Sequence, residues 1–133
     1  MIVLDTHALV WWVNGGEELS AHARAEIERE QSEENGLVLV SSISAWEIAM
    51  LVSRDRLTLT MNIDDWLETV GQIPAVRFVP VDNDVGVEST RLPGEFHKDP
   101  ADRLIVALAR HLNSTLVTAD EKIRAYRHVR TVW

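Results

Sequence analysis

At 133 residues, with 46% apolar and 26% charged residues and a net charge of −8, the chain has the size and composition of one globular domain rather than of a disordered segment. It is long enough to bury about two-thirds of its unfolded surface, so a core can form without a disulfide or structural metal. Having no cysteine, it can carry no disulfide scaffold, thiolate zinc site or cysteine nucleophile.

The elements follow in order. Ile2-Val3-Leu4 is a short apolar run at an N-terminus with no basic stretch, so no secretory signal is expected. A helix follows over 6–13, closed by Gly15 and Gly16. Ser20 caps a second helix reaching about Glu34, before Gly36. Leu37 to Val40 is unbroken and apolar, the pattern of a strand buried on both faces. Ser44 is expected to begin a helix running to about Ser53. Asn62 caps another, with Ile63, Trp66, Leu67 and Val70 along one face. Val76 to Val79 reads as a third strand, halted by Pro80. A helix is expected from Asp82 to about Leu92, ended by Pro93 and Gly94. Asp99-Pro100 opens a strong helix to Leu112, because Asp caps well and Pro suits the first helical position. Leu116-Val117 is a fourth strand, Asp120 starts a short helix to about Arg127, and Val129 to Trp133 can form a fifth strand. Nowhere are there the ~18 uncharged residues that a membrane span needs. A cytoplasmic protein of one domain, 1–133, is the expectation.

Strands alternating with helices imply a mainly parallel sheet with helices on both faces. With right-handed crossovers, strand C-termini and the N-termini of returning helices share one edge, where such sheets bind ligands. Asp5 ends the first strand and Asp120 follows the fourth. Glu47 is placed in the first turn after the second strand, and Asp102 in the first turn of the helix leading to the fourth. Four carboxylates far apart in sequence are thus expected on one rim. Grouped like charges repel and favour protonation unless a cation neutralises them. Hard oxygen ligands select Mg²⁺ or Mn²⁺, which suits phosphoryl chemistry through a metal-activated water. Each acid also has a plainer reading. Ser44 and Glu47 fit a capping box, Asp99 and Asp120 fit helix caps, and Asp102 fits the dipole of its helix.

Charge is unevenly spread. The overall −8 argues against nucleic-acid binding, which normally shows a basic footprint. Yet Arg103, Arg110, Lys122, Arg124, Arg127 and Arg130 make the C-terminal third basic, whereas Glu17 to Glu34 is strongly acidic. That third is either a phosphate-facing surface or ordinary surface. His97 and Lys98 precede the third acidic segment and could touch phosphate, with a solvated loop the plainer expectation. Trp11 and Trp12, being adjacent on a helix, cannot both face the same way, and at least one is expected at a partly exposed face.

Ile2-Val3-Leu4-Asp5-Thr6, Ser44-Ala45-Trp46-Glu47-Ile48-Ala49, Asp99-Pro100-Ala101-Asp102-Arg103-Leu104-Ile105-Val106-Ala107 and Leu116-Val117-Thr118-Ala119-Asp120 resemble, in order and spacing, the acidic motifs of PIN domains, particularly VapC-type toxins. The resemblance covers nearly the whole chain. It implies an α/β/α sandwich with a central parallel five-stranded sheet, and Mg²⁺- or Mn²⁺-dependent endoribonuclease activity on RNA. It implies metal-binding acids at Asp5, Glu47, Asp102 and Asp120, with Asp99, Thr6 and Thr118 as secondary candidates. Arg103, beside Asp102, either contacts RNA or offsets the acids. A VapB-type antitoxin partner and a homodimer are implied as well. Two other classes stay open: an aspartyl phosphotransfer domain, disfavoured by His7 two positions after Asp5, and a non-catalytic module whose acids only cap helices.

Overall fold

A computed structural model describes residues 1–133. The elements in order are β1 (Ile2–Leu4), α1 (Thr6–Asn14), α2 (Ala21–Ser32), β2 (Val38–Ser41), α3 (Ser42–Ser53), α4 (Ile63–Gly71), β3 (Val76–Val79), α5 (Asn83–Ser89), α6 (Pro100–His111), β4 (Thr115–Val117), α7 (Glu121–Ala125) and β5 (Thr131–Val132). The sheet is five-stranded in the order β3-β2-β1-β4-β5, and every pairing is parallel.

Period-two alternation splits the core into two layers. Ile2 and Leu4 of β1 face one side with Val38 and Val40 of β2. There they meet Leu9 of α1, Ile27 of α2, Ile48 of α3 and Val70 of α4. Val3 and Leu39 point the other way, onto Ile105 and Leu108 of α6 and Ile123 of α7. The result is an α/β/α sandwich. α6 is the most deeply set helix; Ile105, Val106, Ala107 and Ala109 are fully enclosed. Full burial of an Ile or Val side chain contributes about 1.5–3 kcal/mol, so this helix is strongly seated. That matters because α6 carries Asp102 on its first turn.

Local signals explain most boundaries. Asp99 caps α6 by accepting the Asp102 backbone N–H at 3.0 Å, with Pro100 at the first position. Gly15 ends α1 in the left-handed conformation, φ 69°, which glycine adopts without strain. Several boundaries differ from the sequence expectation, among them β2, which is Val38–Ser41 rather than 37–40, and β5, which is Thr131–Val132 rather than 129–133. α3 starts at Ser42, not Ser44, because Ser41 caps it and β2 runs into it with no loop. α5 stops at Ser89 rather than Leu92. α7 stops at Ala125, where Tyr126 turns extended, buries its ring and donates its hydroxyl proton to the Pro93 carbonyl at 2.5 Å.

The strand order has one consequence for function. From β1 the chain moves to β2 and β3 on one side, then returns to place β4 on the other. The crevice between the C-termini of β1 and β4 is therefore the topological switch point, where parallel sheets bind ligands. No helix is long and apolar enough to cross a membrane.

Candidate active site

Two strand ends build the centre of that crevice. Leu4 pairs with Val117, so Asp5 and Thr118, each next in chain, lie side by side. The Asp5 carboxylate is 4% exposed. Its Oδ1 accepts the Thr6 N–H at 2.8 Å, and its Oδ2 accepts the Thr118 hydroxyl proton at 2.7 Å. Thr118 Oγ1 in turn accepts the Asp120 backbone N–H at 3.0 Å. One buried hydroxyl thus ties the segments carrying Asp5 and Asp120. Thr6 makes the corresponding link to α3: its hydroxyl donates to Glu47 Oε1 at 2.6 Å and lies 2.8 Å from Ser44 Oγ. Because a hydroxyl has one proton, Ser44 donates in the second contact.

Asp5, Thr6, His7, Glu47, Asp102 and Asp120 all line one cavity of about 230 Å³. Asp102 and Asp120 also line the hollow next to it, with His97, Asp99 and Lys122. The structure thus brings four acids from separate segments to one place. Glu47 is not in a capping box: with Ser41 as cap it falls in the second turn of α3, and Ser44 is enclosed inside that helix. Asp5 and Asp120 do cap α1 and α7. Asp120 uses Oδ1 for this, accepting from Lys122 and Ile123 N–H. Asp99 caps α6 and stands outside the cavity, acting on it through charge.

Crowding is visible in the ionisation of two acids. Asp102 is pushed up to about 7, first by burial, then by the charges of Asp5, Asp99, Asp120 and Glu47. Glu47 is also raised, by burial and by Asp5 and Asp99, against the lowering effect of the Thr6 hydrogen bond. Arg56 is the one guanidinium lining the cavity, and it is exposed. The donor set, all carboxylate oxygen and electrostatically uncompensated, fits a hard divalent cation. No three acids or imidazoles form a ready-made ligand cluster.

Three residues differ from expectation. Arg103 faces away from the crevice: its guanidinium donates to the carbonyls of Ser89, Phe96 and His97 at 2.8, 3.1 and 3.3 Å. It anchors the loop before α6 and is placed neither to contact RNA there nor to offset the acids. His97 is not a solvated loop residue. Its ring packs on Phe96, and its Nε2, 3.1 Å from Asp102 Oδ2, is buried without the alignment of a hydrogen bond. His7, given no role in the sequence reading, lines the cavity. Its Nε2 accepts the Ala119 N–H at 2.9 Å, which puts the proton on Nδ1, 3.6 Å from Asp5 Oδ2. Its spacing two residues after Asp5 was the only available signal. Trp11 and Trp12 are both half-buried against the first core layer, Trp11 also touching His7 and Trp133.

A parallel sheet of this order with acids at its switch point defines a class, and sequence comparison identifies it: the PIN domain model matches residues 2–129. The chain belongs to the PIN domain family. Ribonuclease VapC22 of Mycobacterium tuberculosis is 35% identical over 134 residues, covering 99% of this chain and 98% of that protein. Among solved structures, VapBC2 from Rickettsia felis, bound to a DNA fragment from their promoter, superposes with a TM-score of 0.72 at 19% identity, covering 99% and 98% of the two chains. VapC20 of M. tuberculosis, a sarcin–ricin loop cleaving toxin, superposes with a TM-score of 0.63 at 16% identity, covering 98% and 99%. The five-stranded parallel α/β fold expected from the motifs is the one observed.

Proposed function

We propose that this protein is a VapC-type toxin: a Mg²⁺- or Mn²⁺-dependent endoribonuclease that hydrolyses RNA phosphodiester bonds and is neutralised by a VapB-type antitoxin. The observation carrying this reading is the gathering of Asp5, Glu47, Asp102 and Asp120 around one cavity at the switch point, with Asp102 pushed up to about 7 by burial and its neighbours. The full-length relationship to a ribonuclease supports it. A divalent cation held by these acids would supply charge neutralisation, polarisation of the phosphodiester and a water of lowered pKa.

The chain's own residues do the rest. Thr118 and the Thr6 amide fix the Asp5 carboxylate in one orientation. The Thr6 hydroxyl holds one oxygen of Glu47. α6 presents Asp102 from a helix anchored in the second core layer. His7 holds the β4–α7 turn against β1 through Ala119. Thr6 and Thr118 therefore position the acids rather than meet the substrate. The plan is one of orientation and electrostatics, with no protein nucleophile. The aspartyl phosphotransfer alternative has no support in these contacts. The capping alternative leaves Glu47 unexplained, since it lies in the second turn of α3 and caps nothing.

The protein is proposed to act in the cytoplasm and as a homodimer. The exposed indole of Trp46, 56% accessible on α3, offers apolar surface for such an interface, and size-exclusion chromatography with light scattering tests it. For activity, the purified chain and its Asp102→Asn variant should be incubated with RNA in Mn²⁺ and in EDTA. Cleavage by the parent in Mn²⁺ only, with none by the variant, is the expected result. Equal cleavage by both ends the proposal.

A further inference from the structure

A roomy surface hollow lies beside the acids rather than at them. The hollow lined by Asp102 and Asp120 shares His97 and Lys122 with a groove of about 650 Å³ floored by Phe96, Tyr126, Arg127 and His128. That groove shares Arg127 and His128 with a further hollow of about 470 Å³, lined by Arg110 and Arg130. The concave surface is thus continuous from the carboxylates to the loop after α7. Lys122, Arg127, Arg110 and Arg130 succeed one another along it, with Glu95 the single acid in the two outer hollows.

None of these four cations is in an ion pair. Two are held at the surface by one end only: Arg110 donates to the His128 carbonyl at 2.5 Å, and Arg130 to the Asn113 carbonyl at 2.6 Å. Each keeps further N–H groups for an anion. Lys122 and Arg127 are exposed, with side chains that make no hydrogen bond in the fold. In a chain of net charge −8, a run of cations outside any ion pair leading towards the acid cavity runs against the global charge. An anionic polymer would be repelled by most of this molecule and drawn to this path.

We infer that the Lys122–Arg127–Arg110–Arg130 groove is the track that carries the sugar-phosphate backbone of single-stranded RNA to or from the acid cavity. The inference rests on the proposed ribonuclease reading, since it names where that substrate lies beyond the cleaved bond. Recognition by phosphate contacts is sequence-independent and salt-sensitive, so the track sets affinity and register rather than choice of bases.

The test is the salt dependence of binding to a fluorescent single-stranded RNA in EDTA, where cleavage cannot interfere. Four phosphate contacts give a slope of log K against log[salt] of about −3, from ~0.7 per contact on a single strand. Lys122→Gln with Arg127→Gln, at side chains that bond nothing in the fold, should leave the melting temperature unchanged and bring the slope to about −1.4. The double variant should bind more weakly at low salt and show a raised KM for cleavage in Mn²⁺. Unchanged slope and KM overturn the track, even if the parent cleaves; so does a double variant that loses binding to polyglutamate, added as a second anionic probe, while binding RNA like the parent. Failure of the parent to cleave RNA while the slope behaves as described overturns the ribonuclease reading and leaves an RNA-binding groove.

Discussion

Replacing Asp102 by Asn should make the metal-free protein more stable. In the folded chain the Asp102 carboxyl is pushed from 3.8 up to about 7, by burial first and then by Asp5, Asp99, Asp120 and Glu47. At ~1.4 kcal/mol per pH unit, a charge at this site costs the fold at most about 4 kcal/mol. The side chain is 19% exposed; solvent screening brings the expected effect to about 1–2 kcal/mol. Between pH 3.8 and about 7 the folded chain holds a proton that the unfolded chain has released. Stability therefore falls as pH rises through that window, and the penalty is complete above it. Asparagine carries no charge at any pH. The gain should be small near pH 4.5 and full at pH 8, where it amounts to about 5 °C in Tm for a chain of this size. Thermal unfolding followed by circular dichroism, in EDTA at low salt, reads this directly. Saturating Mg²⁺ should reverse the order, because only the parent gains from binding. A variant no more stable than the parent at pH 8, or equally stabilised at pH 4.5, would refute electrostatic crowding at this site.

Other substitutions probe the supports. Thr118→Val removes the hydroxyl shared by Asp5 and the Asp120 amide; denaturant titration should show a loss of about 1–3 kcal/mol, and RNA cleavage in Mn²⁺ should fall with it. Arg103→Gln unties the carbonyls of Ser89, Phe96 and His97, so hydrogen exchange should quicken in the loop before α6 while the salt dependence of RNA binding stays parental. In Gly36→Ala the new Cβ would lie 1.7 Å from the Glu30 carbonyl oxygen. Backbone must move, the Glu30 contacts to the N-terminal amine and Leu37 N–H are strained, and a marked drop in Tm is expected.

What the sequence made legible was set by strong local chemistry. Asp99-Pro100 admits little but a helix start, and the helix begins there. The apolar runs at 2–4 and 38–40 lie in buried strands because nothing in them tolerates solvent, whereas Leu37 stays outside β2 and half-buried. Glu47 was harder to read, since Ser41, Ser42 and Ser44 are all able to cap, and only the direct passage from β2 into α3 chooses Ser41. Arg103 looked like a site residue because it adjoins Asp102 in sequence. On a helix, adjacent residues point about 100° apart, and this one meets the carbonyls of a loop instead. His97 and His7 reach the acids through tertiary contacts that no spacing rule encodes. The convergence of the four acids was legible because it follows from topology, whereas the basic groove depends on how α6, α7 and the final loop pack.

Isothermal titration of Mn²⁺ into the purified chain, and into its Asp5→Asn and Asp102→Asn variants at pH 8, bears most directly on the shared-cation claim. The parent should bind saturably, and each variant should bind at least tenfold more weakly while remaining folded. A parent with no saturable uptake, or variants that match it, would contradict the account.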